Sequence, residues 1–408
     1  MRLAMLGMAL AVTLFASPGQ AQISVKIGVM NDRGGTFADM AGEGSVRAAE
    51  MAVEDFTADH KDLKVEIISG DHQNKPDIGA AMARQWYDQN GVDVIVDVPT
   101  SSVALAVHQV TREKNKVLLA TGPAVQDLTG AQCSPNTVHW VYDTWSLANG
   151  TAREVVRRGG KEWFFLTADY TFGHMLEAEA TKVIEAGGGR VLGAARHPFV
   201  TSDFSSFLLQ AQSSGAKIVG LANSGADAVN SIKQAAEFGI VPGGQTLAAM
   251  LLMVTDIKAL GLETAQGLVL TGAFYWNLND DTREWSRRFA ARNNGKMPTQ
   301  IQAGVYSSII HYLKAVEALK SKDSGAAVVA KMKEIPTDDP LFGHGTIRPD
   351  GRKLHPLYLF EVKKPSDSKE EWDVYNVLST IPAEEAFRPM SEGGCPLVEK
   401  TVAQGAKQ

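Results

Sequence analysis

Val92-Asp93-Val94-Ile95-Val96-Asp97-Val98-Pro99-Thr100-Ser101-Ser102 decides how the rest of this chain is read. Val92–Val98 is almost continuously apolar, as a strand buried on both faces of a parallel sheet must be. A helix over Ser101–Lys114 follows, with Thr100 or Ser101 placed to cap it. A buried strand that runs straight into a helix start brings free backbone N–H groups beside two serine hydroxyls, Ser101 and Ser102. That combination suits an anion, a carboxylate above all. Capping alone would explain the same residues.

The same alternation extends outward on both sides. Val25–Met30 and Val65–Ser69 read as strands upstream, and Val117–Ala120 as the next one downstream. Gly42–His60 carries Val46, Ala49, Val53 and Phe56 on one helical face, and Ile78–Gln89 is a further helix. Strands alternating with helices at this spacing predict right-handed βαβ crossovers and a parallel sheet. The grammar restarts after Asp143. Helices are expected at Ser146–Arg158, Phe172–Ala186, Phe204–Gln212 and Ala226–Phe238. Strands are expected at Trp163–Thr167, Arg190–Arg196, Ile218–Leu221 and Leu268–Thr271.

Two similar units predict an α/β protein of two lobes. The last third holds an amphipathic helix, Ile301–Leu319, with Val305, Ile309, Tyr312, Val316 and Leu319 on one face. Shorter strand-like pieces follow at Thr346–Ile347, Tyr358–Val362 and Val374–Val377. No linker precedes this third, so the chain is expected to return to the first lobe near Ala273 and finally to cross to the second. The expected limits are 22–142 with 273–350 for the N-terminal lobe, 143–272 with 351–395 for the C-terminal lobe, and a tail at 396–408.

The first 21 residues read as a secretory signal. A basic start at Arg2 precedes an apolar stretch from Leu3 to Phe15, which Ser17, Pro18 and Gly19 break. Small Gly19 and Ala21 stand where a signal peptidase reads. The stretch is too short to span a bilayer. The mature chain is expected to begin at Gln22, which leaves 387 of 408 residues and moves the formal charge from −6 to −7 by loss of Arg2. That length suits two domains. A mildly acidic chain argues against nucleic acid as a partner. No cysteine stands at the cleavage site to take a lipid, so a soluble, unanchored periplasmic protein is expected. In an oxidising compartment the two cysteines, Cys133 and Cys395, are expected to form one disulfide.

Catalytic and metal motifs fail on context. Gly42-Glu43-Gly44 is a partial dinucleotide fingerprint with Asp71 after the next strand, but Arg47 stands where the third glycine belongs and export argues against a nicotinamide enzyme. Ser214-Gly215-Ala216-Lys217 has the Ser-x-x-Lys spacing, but it closes a helix rather than opening one. The nine histidines are scattered; His344 and His355 flank a Gly/Pro-rich loop and read as structural or solvated. No metal site, cofactor or catalytic set is expected.

A second small-residue loop, Ala120-Thr121-Gly122-Pro123-Ala124, follows the neighbouring strand and makes a shared anion site. With these two loops the mature chain resembles the leucine/isoleucine/valine-binding protein family, the type I periplasmic solute-binding proteins of ABC transporters. The marks are Val25-Lys26-Ile27-Gly28-Val29, Ala48-Ala49-Glu50-Met51-Ala52-Val53 in the first helix, Thr100-Ser101-Ser102, Ala120-Thr121-Gly122-Pro123, and Asp169-Tyr170-Thr171-Phe172-Gly173. The resemblance implies two Rossmann-like lobes joined by three crossovers and closing on a small ligand. It implies permease subunits as partners and a monomer. It matches Ser101 to a serine that holds the ligand carboxylate, Gly122 and Ala124 to the second carboxylate loop, and Phe172 to an aromatic lining residue. Ala124 stands where the family often has threonine, so Thr121 is expected to supply the lost hydroxyl. Asn223 and Ser224 fall in a loop that also faces the cleft.

One departure bears on the ligand. Amino-acid binders of this family place an acid on the second lobe for the ligand ammonium, whereas the matching stretch here is Ala249-Met250-Leu251-Leu252-Met253. Burying an unpaired ammonium costs several kcal/mol. Phe37 follows the first strand, and Phe274-Tyr275-Trp276 lies at an expected crossover. Phe37, Phe172, Tyr275 and Trp276 would form an aromatic wall, or the crossover aromatics fill the hinge core. The expectation is a binder of an aromatic carboxylate such as a benzoate or phenylpropanoid. A branched-chain amino acid or amide binder is the nearer alternative, with Glu43 or Asp227 as the acid. An exported sensor presenting its closed form to a receptor is the alternative of another class.

Overall fold

The computed structural model describes residues 22–398; the expected leader at 1–21 and most of the expected tail lie outside them. The first sheet holds β1 (Ile23–Asn31), β2 (Leu63–Asp71), β3 (Val94–Asp97), β4 (Val117–Ala120) and β5 (Thr137–His139). All are parallel, in the order β2-β1-β3-β4-β5. Every residue of β3 and β4 is buried, which is why those segments are apolar without alternation. The second sheet holds β6 (Glu162–Ala168), β7 (Arg190–His197), β8 (Ile218–Ala222) and β9 (Thr246–Ala249), also parallel, in the order β7-β6-β8-β9. In each sheet the chain reverses its direction of winding beside the first strand, so a crevice opens past the carboxyl ends of β1 and β3, and of β6 and β8.

β10 (Val269–Gly272) leaves the second unit and joins a third, antiparallel sheet with β14 (Leu357–Val362) and β15 (Tyr375–Ile381). Between them β11 (Thr337–Asp339), β12 (Gly343–Ile347) and β13 (Lys353–Leu354) form a small antiparallel sheet. Helix Gln300–Leu319 packs on helix Gly42–Asp59. The Thr299 hydroxyl donates to Met40 O at 2.6 Å and the Gln302 amide to Ala41 O at 3.1 Å, so this late helix is bolted to the first lobe. Residues 351–395 do not stay together. Arg352 bridges to His139 beside β5, β14 and β15 lie in the third sheet, and Cys395 is disulfide-bonded to Cys133 with the Cα atoms 5.6 Å apart.

The helix expected over Ser146–Arg158 runs unbroken over 144–157, with its middle, Ala148–Ala152, widened to a π turn. This turn packs against β10. A side chain on Gly150 would lie 2.1 Å from Thr271 Oγ1, and the Thr151 and Thr271 hydroxyls bond at 2.9 Å. The strand expected over Val92–Val98 is shorter at both ends: β3 starts at Val94 and stops after Asp97, where Val98 takes φ 59° and turns the chain.

Candidate ligand-binding cleft

Loops at the strand ends of both parallel sheets meet around one small cavity of about 10 Å³, close to the least that holds a water. Phe37, Met40, Pro99, Ser101, Gly122, Ala124 and Tyr142 line it from the first lobe. Tyr170, Phe172, Ser224 and Leu251 line it from the second. The lobes are closed on each other. Ala226 N–H donates to Thr36 O at 3.2 Å, Gln126 Nε2 donates to Glu179 Oε1 at 2.9 Å, and the Phe37 and Phe199 rings lie 5.7 Å apart. Among the described residues no helix is long and apolar enough to cross a membrane. Nor do they hold three or more His, Cys, Asp or Glu side chains grouped for a metal. A larger open groove of about 530 Å³ beside Trp145, Arg153 and Arg388 is lined mainly by helix residues rather than strand-end loops.

The first-lobe wall is built by carboxylates held back from the cavity. Asp32 accepts the Gly35 N–H at 2.7 Å and the Phe37 N–H at 2.9 Å, which folds the loop after β1 and delivers the Phe37 ring. Asp97 is fully buried at the end of β3. Its carbonyl accepts the Thr121 and Gly122 N–H groups at 3.3 and 3.4 Å, and its carboxylate accepts from Asn31 at 3.1 Å. Burial pushes the Asp97 carboxyl up to about 6, against the hydrogen bonds of Asn31 and Thr121. Gly122 permits the two anion loops to touch. A Cβ there would lie 2.6 Å from Pro99 Cα. Tyr142 Oη, also in the wall, donates to Gly122 O at 2.8 Å. Ser101 begins helix Ser101–Glu113, whose first N–H groups have no intrahelical partner and which has no side-chain cap.

Of the residues expected at the site, Phe37, Ser101, Gly122, Ala124, Phe172 and Ser224 come together. Five do not. Ser102 lies one residue further round the helix and does not line the cavity. The Thr121 hydroxyl faces Asp97 Oδ1 at 3.5 Å, so it does not replace the hydroxyl missing at Ala124. Asn223 turns inward to His197 at 3.2 Å and Ser231 at 3.4 Å. Tyr275 Oη and Trp276 Nε1 both donate to Trp372 O, at 2.9 and 2.8 Å, so these aromatics fill the core beside β14 and β15 instead of the ligand wall. Neither candidate acid reaches the cavity. Glu43 pairs with Arg47 at 2.8 Å on the surface. Asp227 is spent on the Val200 and Thr201 N–H groups at 3.0 and 2.9 Å, and burial pushes it up to about 6.

Met40, Tyr142, Tyr170 and Leu251 complete the wall. Tyr170 and Leu251 belong to the Asp169–Gly173 and Ala249–Met253 stretches, whereas Tyr142 follows β5, a three-residue strand with no readable pattern. Burial raises the Tyr170 phenol, so its hydroxyl stays neutral where Tyr170 and Ser224 line the cavity.

A family model described as periplasmic binding protein matches residues 24–369. Leu/Ile/Val-binding protein homolog 6 of Brucella melitensis is 28% identical over 374 residues, covering 88% of this chain and 93% of the relative. The crystal structure of a periplasmic binding protein from Burkholderia mallei is 51% identical with a TM-score of 0.89, over 92% of this chain and 99% of that one. That of a branched chain amino acid ABC transporter periplasmic ligand-binding protein from Burkholderia xenovorans LB400 is 40% identical with a TM-score of 0.80, over 91% and 99%.

Proposed function

We infer the ligand from one premise: the chain belongs to the periplasmic binding protein family, and it is a solute-binding component of an ABC transporter, not an enzyme. Its ligand is a small aromatic carboxylate of the benzoate or phenylpropanoid kind, captured between the closing lobes and passed to the permease. The Ser101 hydroxyl and helix-start N–H groups hold the carboxylate with the Gly122–Ala124 loop. Phe37, Phe172, Tyr170 and Leu251 flank the ring. The Ser224–Tyr170 hydroxyl pair meets any polar substituent at its far end. In this reading residues 1–21 are a leader removed on export, and the mature protein is an unanchored periplasmic monomer.

The single observation that carries this choice is that, among the described residues, no carboxylate side chain lines the cavity. A carboxylate needs only the donors present. A bound amino acid would also bury an ammonium, at a cost of several kcal/mol without a partner. The second reading, a branched-chain amino acid, is favoured by the names of the Brucella relative and the Burkholderia xenovorans protein. Calorimetry with benzoate, methyl benzoate and leucine decides between them. Benzoate binding at least a hundredfold tighter than its ester and than leucine is the expected result. Tight leucine binding reverses the choice, and equal binding of acid and ester removes the carboxylate clamp.

A further inference from the structure

We propose that Asn74 is the positioning residue of this cleft: it keeps the Ser101 helix start uncapped for the ligand and locks it to the loop that carries Phe37. The inference rests on reading that helix start as the anion site. Thr100 precedes the helix in extended geometry, φ −83° and ψ 118°, and is a residue type that ordinarily accepts an N–H of the first turn. Here it makes no cap bond. Its hydroxyl donates instead to Asn74 Oδ1. The other end of the same amide donates to Asp32 Oδ2 at 2.6 Å, on the carboxylate that gathers the Gly35 and Phe37 N–H groups. One side chain therefore spans the two loops that form the first-lobe wall.

A carboxamide suits the clip: the end toward Asp32 must donate, because a carboxylate only accepts, and the other end accepts the Thr100 hydroxyl. Aspartate would set two carboxylates against each other, and an apolar residue would satisfy neither side. The backbone around it is costly and held on several points. Gln73 and Asn74 both have left-handed φ, 53° and 57°. Gln73 N–H donates to Asp71 Oδ1 at 2.7 Å and Asn74 N–H to His72 Nδ1 at 3.0 Å. Burial lowers His72 to about 4, so at neutral pH its ring keeps the lone pair that receives Asn74 N–H. Strain of this kind persists where surrounding bonds over-determine it, and here its product is the placement of one amide.

Removing the amide should release the Thr100 hydroxyl to cap the helix, where it competes with a bound carboxylate. The test uses the full mature chain carrying Asn74→Ala, Thr100→Val or both. Amide hydrogen exchange is measured without ligand, and benzoate affinity by calorimetry. In Asn74→Ala the Ser102 or Val103 amide should exchange about five- to tenfold more slowly, the size of a cap. The Phe37 amide should exchange faster, and benzoate should bind about tenfold more weakly. Adding Thr100→Val should return the first-turn exchange to its starting rate and recover the part of the affinity lost to the cap, while the Phe37 amide stays fast. A residue that merely stabilises the fold would make the double variant the worst of the three. Thr100→Val alone, which leaves Asn74 in place, should not change first-turn exchange. Faster exchange there would show that Thr100 already caps, and would overturn the proposal. So would unchanged first-turn exchange in Asn74→Ala. If the unaltered protein does not bind benzoate, the ligand reading fails, while the exchange results still decide the role of Asn74.

Discussion

Gly225→Ala should prop the lobes apart. Gly225 lies between Ser224, in the second-lobe wall, and helix Ala226–Glu237, with φ 61° and ψ −140°. A Cβ at this position would lie 2.4 Å from Thr36 O and 3.0 Å from Phe37 Cδ1, both on the opposite lobe. Ordinary contact begins near 3.4 Å, so the lobes must part by about 1 Å at this point. That stretches the Ala226 N–H to Thr36 O bond, now 3.2 Å, past hydrogen-bond reach. The lost bond is worth about 1 kcal/mol. Loosening the Phe37–Phe199 contact adds roughly another 1 kcal/mol. Closure weakened by about 2 kcal/mol lowers ligand affinity about thirtyfold.

Backbone strain has to be separated from this contact, since alanine is strained at that φ in open and closed forms alike. Gly239→Ala is the control: its φ is 65°, and nothing lies within 4 Å of the added Cβ. Both variants should lose thermal stability. Only Gly225→Ala should lose affinity, and its ligand-saturated form should scatter as a more open particle. Affinities for the two variants within threefold of each other would refute the argument that this contact limits closure.

Two further predictions concern stability. The Cys133–Cys395 disulfide spans 262 residues of sequence, so replacing both cysteines by serine should cost about 2–4 kcal/mol of unfolding free energy; the denatured, unreduced protein should titrate no free thiol. Acidification from pH 7 to pH 5 should lower Tm by several degrees. Burial holds His72 and His311 near 4 and His355 near 3, with His108, His139 and His197 also below the ordinary value. A histidine depressed in the fold gives stability above its unfolded value near 6.5 that is lost as pH falls through it. Burial raises Asp97 and Asp227 to about 6 and Asp256 to about 7, which favours the fold on acidification, but these are three groups against six. A calorimetric Tm that rises toward pH 5 would contradict this balance.

The parts of the fold legible in the sequence were those with a strong period or a long apolar run. β3, β4 and helix Gln300–Leu319 declare themselves because tertiary burial and local pattern agree. β5, at three residues, is too short for alternation to register, and β9, Thr-Leu-Ala-Ala, lacks the β-branched run that marks β3. Helix Asp280–Arg292 offers only Trp285, Phe289 and three alanine or small positions to its core face, among charges at most other positions, so its capping residue Asn279 is a better signal than its hydrophobicity. The site follows the same division. Strand-end loops were legible as places, because topology fixes where they converge. Side-chain direction within them was not, because distant partners set it. Trp372 O captures both Tyr275 and Trp276 from 96 or more residues away.

The stretch that decides the fold also marks where sequence pattern must fail. A run of Val and Ile predicts that β3 continues through Val98, since β-branched residues favour extended backbone. Val98 instead takes φ 59°, a conformation that costs a β-branched residue on the order of 1–2 kcal/mol. Three bonds offset it: Val98 N–H to Met30 O at 2.9 Å, and the Thr121 and Gly122 N–H groups on Asp97 O. These bonds draw the ends of β1, β3 and β4 together and seat Gly122 against Pro99. An unstrained extension of β3 would carry Ser101 past the Gly122–Ala124 loop, and the two halves of the anion site would no longer face one cavity. The local rule is broken at the one place where the two loops have to meet, which is where a binding site requires geometry that propensity does not favour.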